Sequence, residues 1–201
     1  METARHPGVL RGLYDWTMAL AEKPWALWAL AAVAFIESSV FPIPPDVMLI
    51  PMVLSVRRKA WLFAGVCTAA SVLGGFAGYL IGLLLFDVVG RPILEFYHYT
   101  ERFEDFRDAY NAWGAWIVAF FGVTPFPYKV ITIASGVTAL DPLTFGVASV
   151  VSRGLRFFIV AGLLWYFGPP IRSFIERRLG LMATLFFVLL FAGFLIIRFV
   201  L

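Results

Sequence analysis

Read from its amino end, the chain sets long apolar runs between short charged stretches, and the lengths of those runs predict its elements. Gly8 to Glu22 mixes Leu10, Leu13, Trp16, Met18 and Leu20 with Arg11, Asp15 and Glu22, the pattern of a helix lying in a membrane interface. From Trp25 to Val56 the only charges are Glu37 and Asp46, and Pro42, Pro44 and Pro45 interrupt the run near its middle. About 16 residues precede that break and about 11 follow it, so as helices the two legs reach ~24 and ~17 Å, short of a ~30 Å hydrocarbon core. A re-entrant hairpin fits these lengths better than two crossings. Trp61 to Phe86 is a full-length apolar span. Its Gly74, Gly78 and Gly82 stand four apart with Ser71 and Gly75 beside them, a stripe along which another helix can pack closely. Asp87 to Asn111 is a charged connection and predicts a solvated or interfacial helix. Trp113 to Val137 repeats the broken hairpin, and Phe145 to Phe167 is a second full span. Arg172 to Arg178 reads as a short basic helix and Leu181 to Val200 as a third span.

The two broken runs share more than their length. An offset of 83 carries Val40–Ile50, VFPIPPDVMLI, onto Val123–Ile133, VTPFPYKVITI, with both P-x-P breaks in register and Asp46 falling on Lys129. Self-similarity at a fixed offset marks an internal duplication. If each hairpin returns to its own side, nine Lys and Arg residues lie on the side of Arg57, Arg58, Lys59 and the N-terminus, and four lie on the side of Arg91, Arg102 and Arg107. The excess places the first side, and the N-terminus, in the cytoplasm. The hairpins then enter from opposite leaflets, as in inverted-repeat transporters. The expected fold is therefore an all-α polytopic membrane protein, an inverted repeat of re-entrant hairpin plus transmembrane helix. An N-terminal interfacial helix precedes it and a C-terminal transmembrane helix follows, within one membrane domain spanning residues 1–201. Repeat 1 covers about 25–86, repeat 2 about 113–167 and the last helix about 181–200.

Composition agrees with that expectation: 61% of residues are hydrophobic, 17% aromatic and only 14% charged, far from a soluble domain. A net charge of +3 without a basic run outside the apolar segments gives no ground for a nucleic-acid partner. The single cysteine, Cys67, excludes an internal disulfide, and His6 and His98 both lie in polar stretches, so neither a metal site nor another cofactor is expected. The N-terminal stretch lacks the continuous apolar core of a signal peptide.

Five ionisable residues interrupt the apolar segments: Glu37, Asp46, Lys129, Arg153 and Arg156. Each is costly there by at least ~2.5 kcal/mol, and such residues mark function by default. Broken backbone at membrane depth is tolerated only where it is buried in protein or lines a wet cavity, so the loops at Pro42, Pro44, Pro125 and Pro127 imply a polar site. Opposite signs at equivalent positions predict that Asp46 and Lys129 approach each other. Arg153 and Arg156, three apart, share a helix face flanked by Ser149 and Ser152, and two guanidinium forks suit a phosphate or a carboxylate. Glu37, about a turn and a half before Pro42, is placed where its charged form is disfavoured, which suits proton carriage. The plain alternative is that these charges pair among themselves and hold the repeats together.

FIESSVFPIPPDVMLIPM, the glycine span LGGFAGYLIG and the second broken loop followed by ASGV resemble the DedA family of bacterial inner-membrane proteins, related to eukaryotic VTT-domain proteins. The resemblance covers roughly residues 30–168 and implies two facing re-entrant hairpins. It also implies a role in moving lipids across the bilayer, with polyprenyl phosphate or phospholipid as cargo, and it carries the family's acidic positions to Glu37 and Asp46. The family's second-loop motif, R-F-x-P-x-x-R, is absent, since Gly122 and Tyr128 stand where its arginines would be; P-x-P-Y-K is more similar to the YqaA-like branch. The expectation is a flippase for an anionic lipid or lipid-linked phosphate in the bacterial inner membrane, coupled to protons, with the bilayer and the lipid as partners. A homo-oligomer is left open. The other class of function is a scaffold without transport activity. An enzyme is not expected, because the membrane region has no histidine and no G-x-S-x-G nucleophile motif.

Overall fold

A computed structural model of the protein describes residues 23, 25–40, 44–124, 126–168 and 170. The expected helices at 8–22, 172–178 and 181–200 lie outside these, as do Pro42 and Pro125. Helix α1, Ala26–Ser39, ends where the prolines begin, and α2, Asp46–Ser55, starts immediately after Pro45. Prolines have no N–H to donate and disfavour helix in the residue before them, so the interruption is local chemistry. A 3₁₀ turn, Arg57–Lys59, leads into α3, Ala60–Leu85, and a π-helical turn, Phe86–Gly90, extends α3 into α4, Arg91–Phe96. Then come α5, Thr100–Val123, α6, Tyr128–Val137, and α7, Pro142–Gly168. The described residues are all helix and turn.

One boundary differs from the sequence-based expectation. The second half of the polar connection and the first arm of the second hairpin are not separate elements but one helix of 24 residues, α5, while the first half forms the π-helical turn and α4. Nothing between Asn111 and Trp113 breaks a helix, so the change from charged to apolar composition alters what surrounds the backbone rather than the backbone itself.

Helix α3 is the axis of the packing. Its buried face runs Phe63, Cys67, Ser71, Gly74, Gly78, Gly82, the spacing of one helical stripe. A Cβ on Gly74 would overlap the Phe35 carbonyl of α1, and one on Gly82 would overlap the Ile133 carbonyl of α6. Gly78 lies between, against the Thr132 hydroxyl and the Ser38 carbonyl. The stripe therefore lets arms of both broken hairpins touch one helix at backbone distance. In return, α6 offers Gly136 to the Tyr79 carbonyl.

Two apolar cores flank a polar layer. The first gathers Leu30, Leu49, Met52, Phe63, Phe157 and Leu164; the second gathers Tyr79, Val118, Tyr128, Ile131 and Phe145. Helix α3 begins in the first core and ends in the second, whereas α7 runs from the second to the first. Between the cores lie Ser71 on α3 and Ser149, Ser152 and Arg153 on α7, all buried. The outward faces stay apolar: Leu73, Leu80 and Leu84 of α3 and Val147, Val150 and Leu155 of α7 are exposed. The helix containing α3, Arg57–Phe96, and α7 are both long and apolar enough to cross a membrane. Apolar surface of this extent is rare on soluble monomers and points to association with a membrane.

Candidate functional site

The last turn of α1 delivers Glu37, Ser38 and Ser39 to the polar layer before the chain breaks. Opposite them α7 presents Arg153, which has no solvent exposure at all. Its Nη2 donates to Glu37 Oε2 at 2.7 Å and its Nε donates to Ser71 Oγ at 2.6 Å. Ser38 Oγ lies 2.6 Å from Ser71 Oγ and 3.1 Å from the same Glu37 oxygen, so the two hydroxyls and the carboxylate form one connected set. The guanidinium is also stacked, its central carbon 4.8 Å from the ring centres of Tyr128 and of Phe157. Tyr128 is held in turn by its hydroxyl, which donates to Ser149 Oγ at 2.6 Å. A guanidinium suits this place because it is planar, less strongly hydrated than an ammonium, and able to bond in its plane while stacking on both faces.

One turn further along α7, Arg156 reaches the other side of the break. Its Nη2 donates to Asp46 Oδ2 at 2.6 Å, at the start of α2, and its Nη1 donates to the Thr124 carbonyl at 2.9 Å, at the end of α5. This pair is less enclosed, with side chains 14% and 21% exposed, against 0% and 12% for Arg153 and Glu37. A single arginine thus ties both broken hairpins to α7.

Lys129, at the start of α6, donates to the Val40 carbonyl at 3.0 Å, at the end of α1. Beside it, Thr132 Oγ1 donates to the Ser38 carbonyl at 3.1 Å. The second hairpin therefore meets the first through backbone acceptors that the proline break leaves without helical donors. Asp46 takes Arg156 as its ion-pair partner, while Lys129 has no carboxylate within ion-pair distance among the described residues. Of the four buried side-chain atoms without a partner among the described residues, two belong to this layer, Arg153 Nη1 and Asp46 Oδ1.

The five charges singled out in the sequence thus collect in one layer, and four of them pair among themselves, as the plainer of the two sequence readings has it. Arg153 and Arg156 do not act as two free forks on one face; each holds its own carboxylate. Pro44 and Pro127 flank this layer. Tyr128 and Ser71 complete it, and the sequence signal for either was weak: Tyr128 was noticed as the wrong residue at an arginine position, Ser71 as one small residue in a packing stripe. No group of three or more His, Cys, Asp or Glu side chains able to hold a metal occurs among the described residues. A surface groove lined by Ala115, Trp116, Ala119, Leu143, Val147 and Val151 contains no charged side chain and lies apart from the ion pairs.

No protein-family model and no solved structure matches the chain. An uncharacterized protein of Haemophilus influenzae is 34% identical over 186 residues, covering 92% of this chain and 96% of its own length. An uncharacterized protein of Histophilus somni is 33% identical over 167 residues, covering 83% of this chain and 87% of its own.

Proposed function

The chain belongs to one family with these Haemophilus and Histophilus proteins, and from that starting point we propose that it is an inverted-repeat membrane transporter that moves an anionic lipid or lipid-linked phosphate across the inner membrane. The observation that carries this reading is the pair of ion pairs joining α7 to the ends of both broken helices, Arg153 to Glu37 and Arg156 to Asp46. Charges in such apolar segments are expensive, and by default they mark a substrate or ion pathway. Broken helices whose ends line the same polar layer are the usual form of a site at the membrane midplane. Protonation of Glu37 or Asp46 would release its arginine, which supplies a route by which proton binding and anion binding alternate.

Several features support the repeat. The offset of 83 carries Asp46–Ser55 onto 129–138, against Tyr128–Val137 for α6, and Ala60–Leu85 onto 143–168, against Pro142–Gly168 for α7. Opposite passage of α3 and α7 through the two cores is what inverted units require. The motif resemblance to DedA proteins supports lipid as the cargo. Orientation is tested with Arg58→Cys and Asp105→Cys, each in a Cys67→Ser background, labelled with an impermeant maleimide. Labelling of both from the same side of the membrane would defeat the inverted arrangement.

A second reading has an observation in its favour. Each arginine is matched to one carboxylate, and a scaffold without transport would need no more than that. Purified protein in liposomes with labelled lipid phosphates decides between the two: transport requires protein-dependent movement between leaflets, and its absence from folded protein leaves the scaffold.

A further inference from the structure

The charges of the polar layer do not cancel. Glu37 is matched by Arg153 and Asp46 by Arg156, which leaves Lys129 as the cation with no carboxylate among the described residues. Its only hydrogen-bond partner among them is neutral, the Val40 carbonyl at 3.0 Å. An ammonium carries three donors, so two remain for another acceptor. Lys129 is only half-buried and its bond to Val40 is exposed, so an anion can reach the ammonium, and a guest bringing one negative charge would neutralise the layer.

Resting on the lipid-phosphate reading above, we propose that Lys129 anchors the head group and that the site takes a lipid phosphodiester of single negative charge in preference to a phosphomonoester or a zwitterionic head group. The arginines are poorly placed for this task. Arg153 is fully buried, packed against two rings and already bonded to Glu37 and Ser71. Arg156 uses one end of its fork on Asp46 and the other on Thr124. Lys129 is half-buried, joins the start of α6 to the end of α1, and is committed to no charged group among the described residues. Lysine is also a point charge rather than a fork, so it selects for charge more than for shape. A phosphomonoester carries about −1.5 to −2 at neutral pH and would leave the layer with excess negative charge. A zwitterion brings no net charge and would leave Lys129 uncompensated.

The test uses the full chain in phosphatidylcholine vesicles at neutral pH, with trace phosphatidylglycerol, phosphatidic acid or phosphatidylcholine labelled on the acyl chain. Movement between leaflets is read by quenching of the outer leaflet. The unmodified protein is expected to move phosphatidylglycerol on the order of tenfold faster than the other two, the ratio given by one decade of differential binding. Lys129→Gln should remove that preference without lowering the unfolding temperature in detergent, and Lys129→Arg, which keeps the charge, should retain it. Equal rates for all three lipids, or a preference that survives in Lys129→Gln, overturns the inference while leaving transport intact. Failure of the unmodified, folded protein to move any of them defeats the transport reading itself.

Discussion

The two ion pairs of α7 are one helical turn apart and chemically alike, yet they are built differently. Arg153 and Glu37 are closed off, with the rings of Tyr128 and Phe157 against the guanidinium, Ser71 bonded to Arg153 and Ser38 bonded to Glu37 and Ser71. Arg156 and Asp46 lie nearer the surface, and their remaining partner is a loop carbonyl. Removing charges from water costs several kcal/mol per ion, so a sealed pair depends on close fixed partners, here Glu37 and Ser71 for Arg153, whereas a rim pair can exchange its partner for water or an anion. Burial therefore separates a fixed joint from a replaceable one. The inner pair sets the position of α1 against α7, and the outer pair is where opening would begin.

The largest test of that difference is to strand one arginine at a time. Glu37→Gln leaves Arg153 buried beside a neutral amide and should cost about 3–5 kcal/mol, read as lost folded yield and a lower unfolding temperature in detergent. Adding Arg153→Gln should restore much of the loss, since an absent pair is penalised less than a lone buried charge. Asp46→Asn should cost only about 1–2 kcal/mol, between the exposed and buried limits. Equal losses at the two sites would erase the distinction.

A smaller effect separates geometry from charge. Arg153→Lys keeps the charge but loses the in-plane bond to Ser71 and much of the stacking on Tyr128 and Phe157, for about 2 kcal/mol in a desolvated site. Arg156→Lys can keep its contact with Asp46 and gives up the Thr124 carbonyl, for about 1 kcal/mol. In the lipid assay the same order is expected, with Arg153→Lys the more impaired. The reverse order would make Arg156, rather than Arg153, the residue whose fork geometry matters.

What was legible in advance follows from which forces act locally. Proline breaks, run lengths and the glycine stripe are local, and they located α1, α2, α3, α6 and α7 to within a few residues. The intramembrane charges were equally visible, because a carboxylate or guanidinium in an apolar run stands out against its neighbours. Pairing was not visible: Glu37 and Arg153 are 116 positions apart and Asp46 and Arg156 are 110, so only the three-dimensional packing joins them. A spacing of three put both arginines roughly on one face, yet it carried no information about depth. Opposite charges at equivalent loop positions predicted only that Asp46 and Lys129 approach each other; the ion-pair partner of Asp46 is Arg156, whose planar fork reaches Asp46 and the Thr124 carbonyl together. The role of Tyr128 was not legible because it is to pack against a cation, and an aromatic residue in an apolar segment has many plainer uses.

The smallest effect concerns an exposed carboxylate beyond the apolar stretch of α7, which shows what an acid contributes when it is not buried. Asp141 precedes Pro142 at the start of α7, and its Oδ2 accepts the Thr144 N–H at 2.7 Å, an N-cap in front of a proline at the first helical position. That amide, followed by the Thr144 hydroxyl, holds the Asp141 carboxyl below the ordinary aspartate value. A lowered folded value means that the stabilisation is present above the ordinary aspartate range and is lost as pH falls through the folded value. Asn caps nearly as well as Asp, so Asp141→Asn should leave the unfolding temperature at neutral pH almost unchanged while flattening its decline in acid. If the decline keeps its full slope in Asp141→Asn, the cap carries none of it and the acid sensitivity belongs to other carboxylates.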